Sequence, residues 1–152
     1  MNMKLLALFL LPLAAACSSG PIAKAALDDE VRRLCAIDGG IKVYETVTLP
    51  AKKFNKWGQI DFWIPNVEEM KPDDEYYYER KIQYLINGNP ELSRSQHKII
   101  RRKDGMLLGE SIRYARGGGD LAGPWHDSTV ICPEPTVQPS LEASIFLRSD
   151  NK

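Results

Sequence analysis

The sequence predicts an α+β fold, in which one N-terminal helix packs on a mainly antiparallel meander sheet of four to five strands. Three observations support this prediction. Apolar residues recur at helical spacing near residues 26–37. Alternating segments rich in β-branched and aromatic residues follow from residue 41 onwards. An Asp104-Gly105 pair separates two of these segments, as in a β-hairpin. Because the strands follow one another directly, we expect antiparallel neighbours.

The predicted helix covers residues 26–37. Carboxylates at residues 28–30 occupy its first turn, where they interact favourably with the helix dipole, and Gly39-Gly40 supplies the stop. The apolar residues of this segment share one face and should contact the sheet: Leu27, Val31, Leu34 and Cys35.

The strands are expected at residues 41–49, 59–64, 76–86, 95–103, 106–116 and 128–132. The run 59–64 is either a strand or an apolar loop that crosses the core. Asp104-Gly105 predicts a type I′ turn. The segment that follows Cys132 contains three prolines and predicts an extended tail. Within this tail, three apolar residues either form a weak terminal helix or dock on the body: Leu141, Ile145 and Phe146.

The first 16 residues have the composition of a secretory signal peptide. Lys4 and the terminal amine make the start positive, and the apolar stretch 5–16 is interrupted by Pro12. Twelve helical residues extend about 18 Å, well short of a bilayer core of about 30 Å, so a permanent membrane-spanning helix is not expected here. Ala14 and Ala16 also suit an ordinary signal peptidase, which would release a soluble secreted protein.

The segment Leu13-Ala14-Ala15-Ala16-Cys17 resembles the lipobox of bacterial lipoproteins, although the position three before the cleavage site is Ala14 rather than leucine. The resemblance implies cleavage before Cys17, a diacylglycerol on its sulfur and a third acyl chain on its amine. Several acyl chains give firm anchoring, whereas one gives only marginal binding. Ser18 resembles the default outer-membrane sorting signal of Gram-negative lipoproteins. The expected location is therefore the outer membrane, facing the periplasm.

The chain has three cysteines, an odd number for an exported protein. Lipidation of Cys17 would leave Cys35 and Cys132 to form one disulfide that encloses nearly the whole domain. The alternative is a pair of buried free thiols. A zinc site is not supported, because the sequence contains no Cys-x-x-Cys spacing.

The predicted organisation has four parts. Residues 1–16 form the signal peptide, 17–26 a lipidated tether, 27–132 one globular domain and 133–152 the tail. The chain carries 20 basic and 20 acidic side chains, and this balance argues against nucleic acid as a partner. No cofactor is expected, since the sequence has no Walker loop and no dinucleotide-binding fingerprint.

An aromatic binding surface is the best candidate site. In a regular strand at least one ring of Tyr76, Tyr77 and Tyr78 must face away from the core, and exposed tyrosines favour protein or glycan contacts. Trp125 and His126, which follow a glycine-rich loop, complete this candidate surface. A solvent-facing ladder of side chains is the structural alternative for the tyrosines.

Catalytic and metal sites are not predicted. The segment 117–128 contains Asp120, His126, Asp127 and Ser128, but residues adjacent in a strand point to opposite faces, and no Gly-x-Ser-x-Gly occurs. Asp73, Asp74 and Glu75 lack the twelve-residue calcium-loop pattern. A basic cluster is interpreted as a solvated hairpin tip, with attraction to anionic lipid headgroups as the alternative: Lys98, Arg101, Arg102 and Lys103.

The stretch Cys35–Glu45 resembles small exported proteins of proteobacteria, and this resemblance implies no activity. The sequence thus favours a lipoprotein held in the membrane through Cys17, which acts as a non-catalytic binding module for an envelope protein or glycan. Two alternatives remain open. One is an envelope hydrolase that uses the loop Gly117–Ser128, and the other is a lipid- or ligand-binding lipoprotein with a large apolar cavity.

Overall fold

The computed structural model describes residues 19–149, apart from residues 121, 122, 124, 125, 127 and 137. The predicted signal peptide and the lipidation of Cys17 lie outside the described residues. The described residues form two α-helices, α1 (Ser19–Asp38) and α2 (Leu141–Ile145). Seven strands are described: β1 (Gly40–Val43), β2 (Val47–Leu49), β3 (Tyr76–Ile86), β4 (Glu91–Arg101), β5 (Met106–Gly117), β6 (Thr129–Cys132) and β7 (Phe146–Arg148).

The main sheet is antiparallel and has five strands. β3, β4 and β5 form a meander, and the far edge of β5 is shared by β1 and β6, which pair with different parts of it. β2 and β7 form a separate parallel pair. The predicted class, a helix packed on a mostly antiparallel sheet with one disulfide, is confirmed.

Helix α1 is longer than predicted. It begins at Ser19 rather than near residue 26, so it includes most of the segment expected to be a tether. Its apolar face agrees with the prediction, since Val31 and Cys35 are buried and Leu27 and Leu34 pack against them. These helix residues pack against one end of the sheet, where they contact four of its residues: Leu92, Ile112, Tyr114 and Val130. We call this cluster the helix core.

A second cluster lies at the other end of the sheet, and we call it the loop core. Its buried residues come from β3, β4, β5, the 54–64 segment and the C-terminal segment: Ile64, Tyr76, Tyr78, Ile99, Leu108, Leu141, Ile145 and Phe146. Leu92 and Ile99 of β4 are seven residues apart in a regular stretch, so they point to opposite faces. The two cores therefore lie on opposite faces of one sheet.

A bulge in β5 makes this arrangement possible. Ile99 pairs with Gly109 and Ile100 with Leu107, so Leu108 is an extra residue. Leu108 and Ile112 would share a face in a regular strand, yet Leu108 lies in the loop core and Ile112 in the helix core.

Three of the predicted strands differ clearly in the structure. The predicted strand 95–103 begins earlier, at Glu91, and ends at Arg101. The run 41–49 is divided into β1 and β2, and only β1 joins the main sheet. The run 59–64 is not a strand. It makes one isolated bridge, between Phe54 and Ile60, and otherwise crosses the core as a loop, which was the stated alternative.

The hairpin between β4 and β5 has four loop residues, 102–105, rather than the predicted two. Of these four loop residues only Gly105 has a positive φ, of 68°. Among all the described residues, every positive φ belongs to a glycine. A type I′ turn needs positive φ at both central residues, so the predicted turn type is wrong although the hairpin is confirmed.

The domain does not end at Cys132. Leu141, Ile145 and Phe146 are buried in the loop core, and β7 pairs with β2, so the segment predicted as a tail is part of the globular body. The local signal for α2 is its cap, because the Ser140 side chain accepts a hydrogen bond from the Ala143 N–H, at 3.1 Å.

The predicted disulfide between Cys35 and Cys132 is present and joins α1 to β6. Neither α1 nor α2 is both long and apolar enough to cross a bilayer, and this statement covers the described residues alone.

Candidate functional site

The clearest candidate site is an open cleft of about 440 Å³ on the loop-core side of the sheet. Its walls come from the 54–64 segment, from β3 and from the beginning of α2. We call it the Trp63 cleft. Aromatic and aliphatic side chains line it together with a few polar ones, chiefly Phe54, Ile60, Phe62, Trp63, Tyr78, Arg80, Ser140 and Glu142.

Trp63 is exposed because its neighbours take the buried positions. In the extended run Phe62-Trp63-Ile64, Ile64 packs into the loop core and Phe62 packs edge-to-face against Phe146, with ring centroids 5.6 Å apart. The indole between them points outwards and is 76% exposed. Trp57 is exposed to the same degree, 73%, but does not line the cleft.

The floor of the cleft carries a set of polar contacts centred on Tyr78. The Tyr78 hydroxyl donates to the Glu142 carboxylate, and the Arg80 guanidinium stacks on the Tyr78 ring, 5.1 Å from its centroid. Burial and the neighbouring Glu142 carboxylate raise the pKa of Tyr78. The phenol therefore stays a neutral donor, which fixes Glu142 at the mouth of the cleft.

His97 lies beside this cluster, directly opposite Arg80 in the register of β3 and β4. Burial lowers the pKa of His97, and the positive charges of Arg80 and Arg113 lower it further against a smaller opposite effect of Glu142. The imidazole is consequently neutral at pH 7. The cleft thus has one cationic group, one carboxylate and several neutral donors and acceptors next to an aromatic wall.

The predicted aromatic surface is not assembled as expected. Tyr76 and Tyr78 are buried in the loop core, and Tyr77 is half-buried on the other face. His126 is exposed, and Trp125 lies outside the described residues. Tyr76 pairs next to the hairpin tip, whereas the segment with His126 follows the opposite end of β5. The sheet therefore keeps the tyrosines and His126 apart.

The 117–128 loop is held by a buried polar network. The Arg116 guanidinium contacts the Asp28 carboxylate at 2.7 Å, the Ser128 hydroxyl at 2.9 Å and the Ser128 carbonyl at 2.7 Å. The Ser128 hydroxyl donates to Asp120, which also pairs with the Lys24 ammonium. The Lys24 ammonium and the Ser128 donors hold the pKa of Asp120 well below its usual range.

This network bears on the hydrolase alternative. The Ser128 hydroxyl is engaged by Asp120 and Arg116, and His126 is exposed. A nucleophilic serine needs a base within hydrogen-bond reach and a free reaction path. The contacts of Ser128 instead fit a structural role, in which its hydrogen bonds to Arg116 and Asp120 hold the end of the loop.

The charged hairpin tip forms a second cavity, of about 600 Å³, beside the acidic residues 73–75. Arg101 forms ion pairs there with Asp104 and Glu45, whereas Arg102 donates to the neutral Lys71 carbonyl at 3.2 Å, so the carboxylates neutralise one charge of the predicted basic cluster. Within the described part of the chain, no group of three or more histidine, cysteine or acidic side chains is placed to hold a metal ion.

Sequence reasoning named Tyr78, which lines the Trp63 cleft, but missed the other residues of the cleft. Phe62-Trp63-Ile64 carried a usable signal, because alternate side chains of an extended segment point to opposite sides, so Trp63 points away from the core that Phe62 and Ile64 contact. Arg80 and Glu142 carried none, since their proximity depends on the docking of α2 against β3. In comparisons with protein-family models, curated proteins and solved structures, nothing matches this chain.

Proposed function

We propose that this protein is a lipoprotein anchored in the outer membrane through Cys17, and that it is a non-catalytic binding module for a saccharide segment of an envelope polymer. The observation that supports the binding role is the Trp63 cleft, where an exposed indole stands next to Arg80 and Glu142. The lipobox-like segment ending at Cys17 supports the anchoring.

The chemistry of the cleft suits a sugar. A pyranose ring has an apolar face of C–H groups, which packs on an aromatic ring, and a rim of hydroxyls, which need donors and acceptors. Trp63 offers the ring, while Arg80, Glu142 and Ser140 offer hydrogen-bonding groups at the same cleft. The volume of about 440 Å³ is in the range of small-ligand sites.

A protein partner is the second candidate, since tryptophan and arginine are also enriched at the centres of protein interfaces. The enclosed apolar cavity of a lipid carrier finds less support, because Trp63 leaves the cleft open and charged groups line it.

Substitution of Trp63 tests the proposed ligand. We expect Trp63→Ala in the full-length protein to weaken binding of envelope oligosaccharides at least about 30-fold, the effect of losing about 2 kcal/mol of binding energy. Isothermal titration calorimetry measures it. Trp57→Ala is the matched control, because it removes an equally exposed indole of the same loop and should bind normally. Equal losses in both variants, or no binding of envelope saccharides by the parent protein, contradict the proposed ligand.

Substitution of Cys17 tests the anchor independently. The parent protein should sediment with membranes and have the added mass of acyl chains, whereas Cys17→Ala should be released into the soluble fraction. Mass spectrometry of both proteins decides the question. Membrane association of Cys17→Ala without acyl mass would show that the lipidation proposal is wrong.

A further inference from the structure

In the part of the chain that the structure describes, the outer edge of β3 is open over half of its length. The Tyr78 N–H donates to the Pro65 carbonyl at 2.7 Å, which shows that the backbone groups of Tyr78 point away from β4. Because this direction alternates along a strand, the N–H and C=O groups of Arg80, Ile82 and Tyr84 also point outwards. Among the described residues the only segment bridged to this edge is at Asn66, opposite Tyr78.

Several exposed apolar side chains lie along this edge, beside the charged Arg80 and Lys81. Ile82 is 63% exposed and Tyr84 is 53% exposed, on the same face, and Leu85 and Ile86 are exposed as well. No proline or glycine interrupts β3. A long edge strand with exposed apolar side chains is a template for pairing with another strand, so it needs protection or a partner.

We propose that this edge pairs with the same edge of a second copy of the chain, in antiparallel register about Ile82. The open regular stretch runs from Arg80 to Tyr84, because the bridge at Asn66 ends it on one side and the irregularity after Tyr84 ends it on the other. Ile82 is the midpoint of that stretch. The proposal rests on this edge alone and does not depend on the ligand of the Trp63 cleft.

The register of the side chains supports the second copy as the occupant, because pairing about Ile82 places no two like charges directly opposite each other. Pairing about Ile82 places Arg80 opposite the partner's Tyr84, where a cation–π contact is favourable, and Lys81 opposite the neutral amide of the partner's Gln83. Pairing about Arg80 or about Lys81 would instead oppose two like charges. The two chains would exchange about six backbone hydrogen bonds, two for each hydrogen-bonded residue pair.

The pairing has a directional consequence. A two-fold axis through the Ile82 pair stands perpendicular to the sheet, so the loop-core faces of both chains lie on the same side. The two Trp63 clefts then open to one side of a continuous ten-stranded sheet, formed by the two five-stranded sheets.

Disulfide trapping tests the register. In the paired state the two Ile82 Cα atoms are about 5.5 Å apart, a distance that a disulfide spans. We expect Ile82→Cys, introduced into the full-length protein in membranes, to give a dimer on a non-reducing gel. Lys81→Cys and Tyr84→Cys should stay monomeric, as should the parent chain. Trapping at those positions instead, or at none, overturns the proposal, and so does trapping of a different protein at Ile82.

A charge substitution tests the interaction without a covalent link. We expect the detergent-solubilised parent protein to sediment as a dimer in analytical ultracentrifugation. Ile82→Lys should abolish this dimer, because it opposes two ammonium groups across the axis. Ile131→Lys is the control, since Ile131 is exposed on the same face but belongs to β6, away from this edge. A dimer that persists in Ile82→Lys, or is lost equally in both variants, contradicts pairing at β3.

Discussion

The buried side chain of Arg116 connects α1 with the loop that follows β5. Its side chain is 1% exposed, and its guanidinium joins Asp28 of α1 to the carbonyl groups of Gly118 and Ser128. A buried charge is tolerated only when it is paired and hydrogen-bonded, and Arg116 satisfies both conditions. It therefore ties the helix core to the loop that follows β5.

Removal of this charge should be costly. We expect Arg116→Met to lower the free energy of unfolding by about 3–5 kcal/mol, because it leaves Asp28 and two carbonyls without their donor. Urea denaturation measures the change. Addition of Asp28→Asn should recover part of the loss, since the unpaired carboxylate is then removed. If the double variant is less stable by the sum of both single effects, the two side chains are not coupled.

His97 should make stability depend on pH. Because burial and the charges of Arg80 and Arg113 lower its pKa in the folded protein, the unfolded chain binds this proton more readily below about pH 6.5. The contribution of neutral His97 is thus present above that pH and is lost as the pH falls. We expect His97→Gln to flatten the decline in unfolding free energy between pH 7 and 5. An unchanged slope would contradict this assignment.

The tyrosine run marks the limit of residue-level prediction. Alternation correctly placed Tyr76 and Tyr78 on one face and Tyr77 on the other. The sequence did not indicate which face would be covered, because the cover comes from Phe62, Phe146 and α2, which are distant along the chain. Tyr76 and Tyr78 are buried for that reason, although Tyr78 lines the Trp63 cleft.

Among the elements, α2 and β7 contribute far more than their length suggests. Ile145 is fully buried, and its Cδ1 atom would lie 2.9 Å from a Cβ atom added at Gly109. The Lys42 carbonyl would lie at the same distance. The close approach of α2 to β5 and β1 therefore requires glycine at this position.

Two substitutions test this contact. We expect Ile145→Ala to lower the free energy of unfolding by about 2–5 kcal/mol through the cavity it creates. Gly109→Ala should also be destabilising, by about 1–3 kcal/mol, because the Lys42 backbone cannot move freely. Thermal unfolding measures both. Leu147→Ala is the control, because Leu147 is exposed in β7 and its loss should have little effect. A stable Ile145→Ala protein would mean that the segment is not part of the core.

The elements were predictable where the signal was local. Strand β3 has the predicted bounds, and β5 differs by one residue, because both end at clear turn residues. The segments 47–49 and 146–148 were not predictable as a pair, since a parallel pair between distant segments leaves no local pattern. The additional N-terminal length of α1 was hidden by Gly20 and Pro21, which usually indicate a tether.

For the whole molecule, the disulfide closes a loop of 97 residues between α1 and β6. The chain-entropy model assigns about 4–5 kcal/mol to a loop of this size. We expect Cys35→Ser with Cys132→Ser to lower the free energy of unfolding by up to this amount, with the larger part of the damage in the helix core. Amide hydrogen exchange measures how this loss is distributed: amides of α1 and β6 should lose more protection than those of β3. Equal loss throughout would indicate one cooperative unit.

The bulge at Leu108 has a consequence for how the sequence can change. The extra residue reverses the alternation of side chains along β5, so that positions an even number of residues apart across the bulge lie on opposite faces. A deletion in the hairpin would cancel this reversal and turn Leu108 outwards, even though every remaining residue is unchanged. A one-residue deletion between Leu108 and Ile112 should by contrast be tolerated, because it removes the bulge and leaves these two side chains three residues apart, on opposite faces as before.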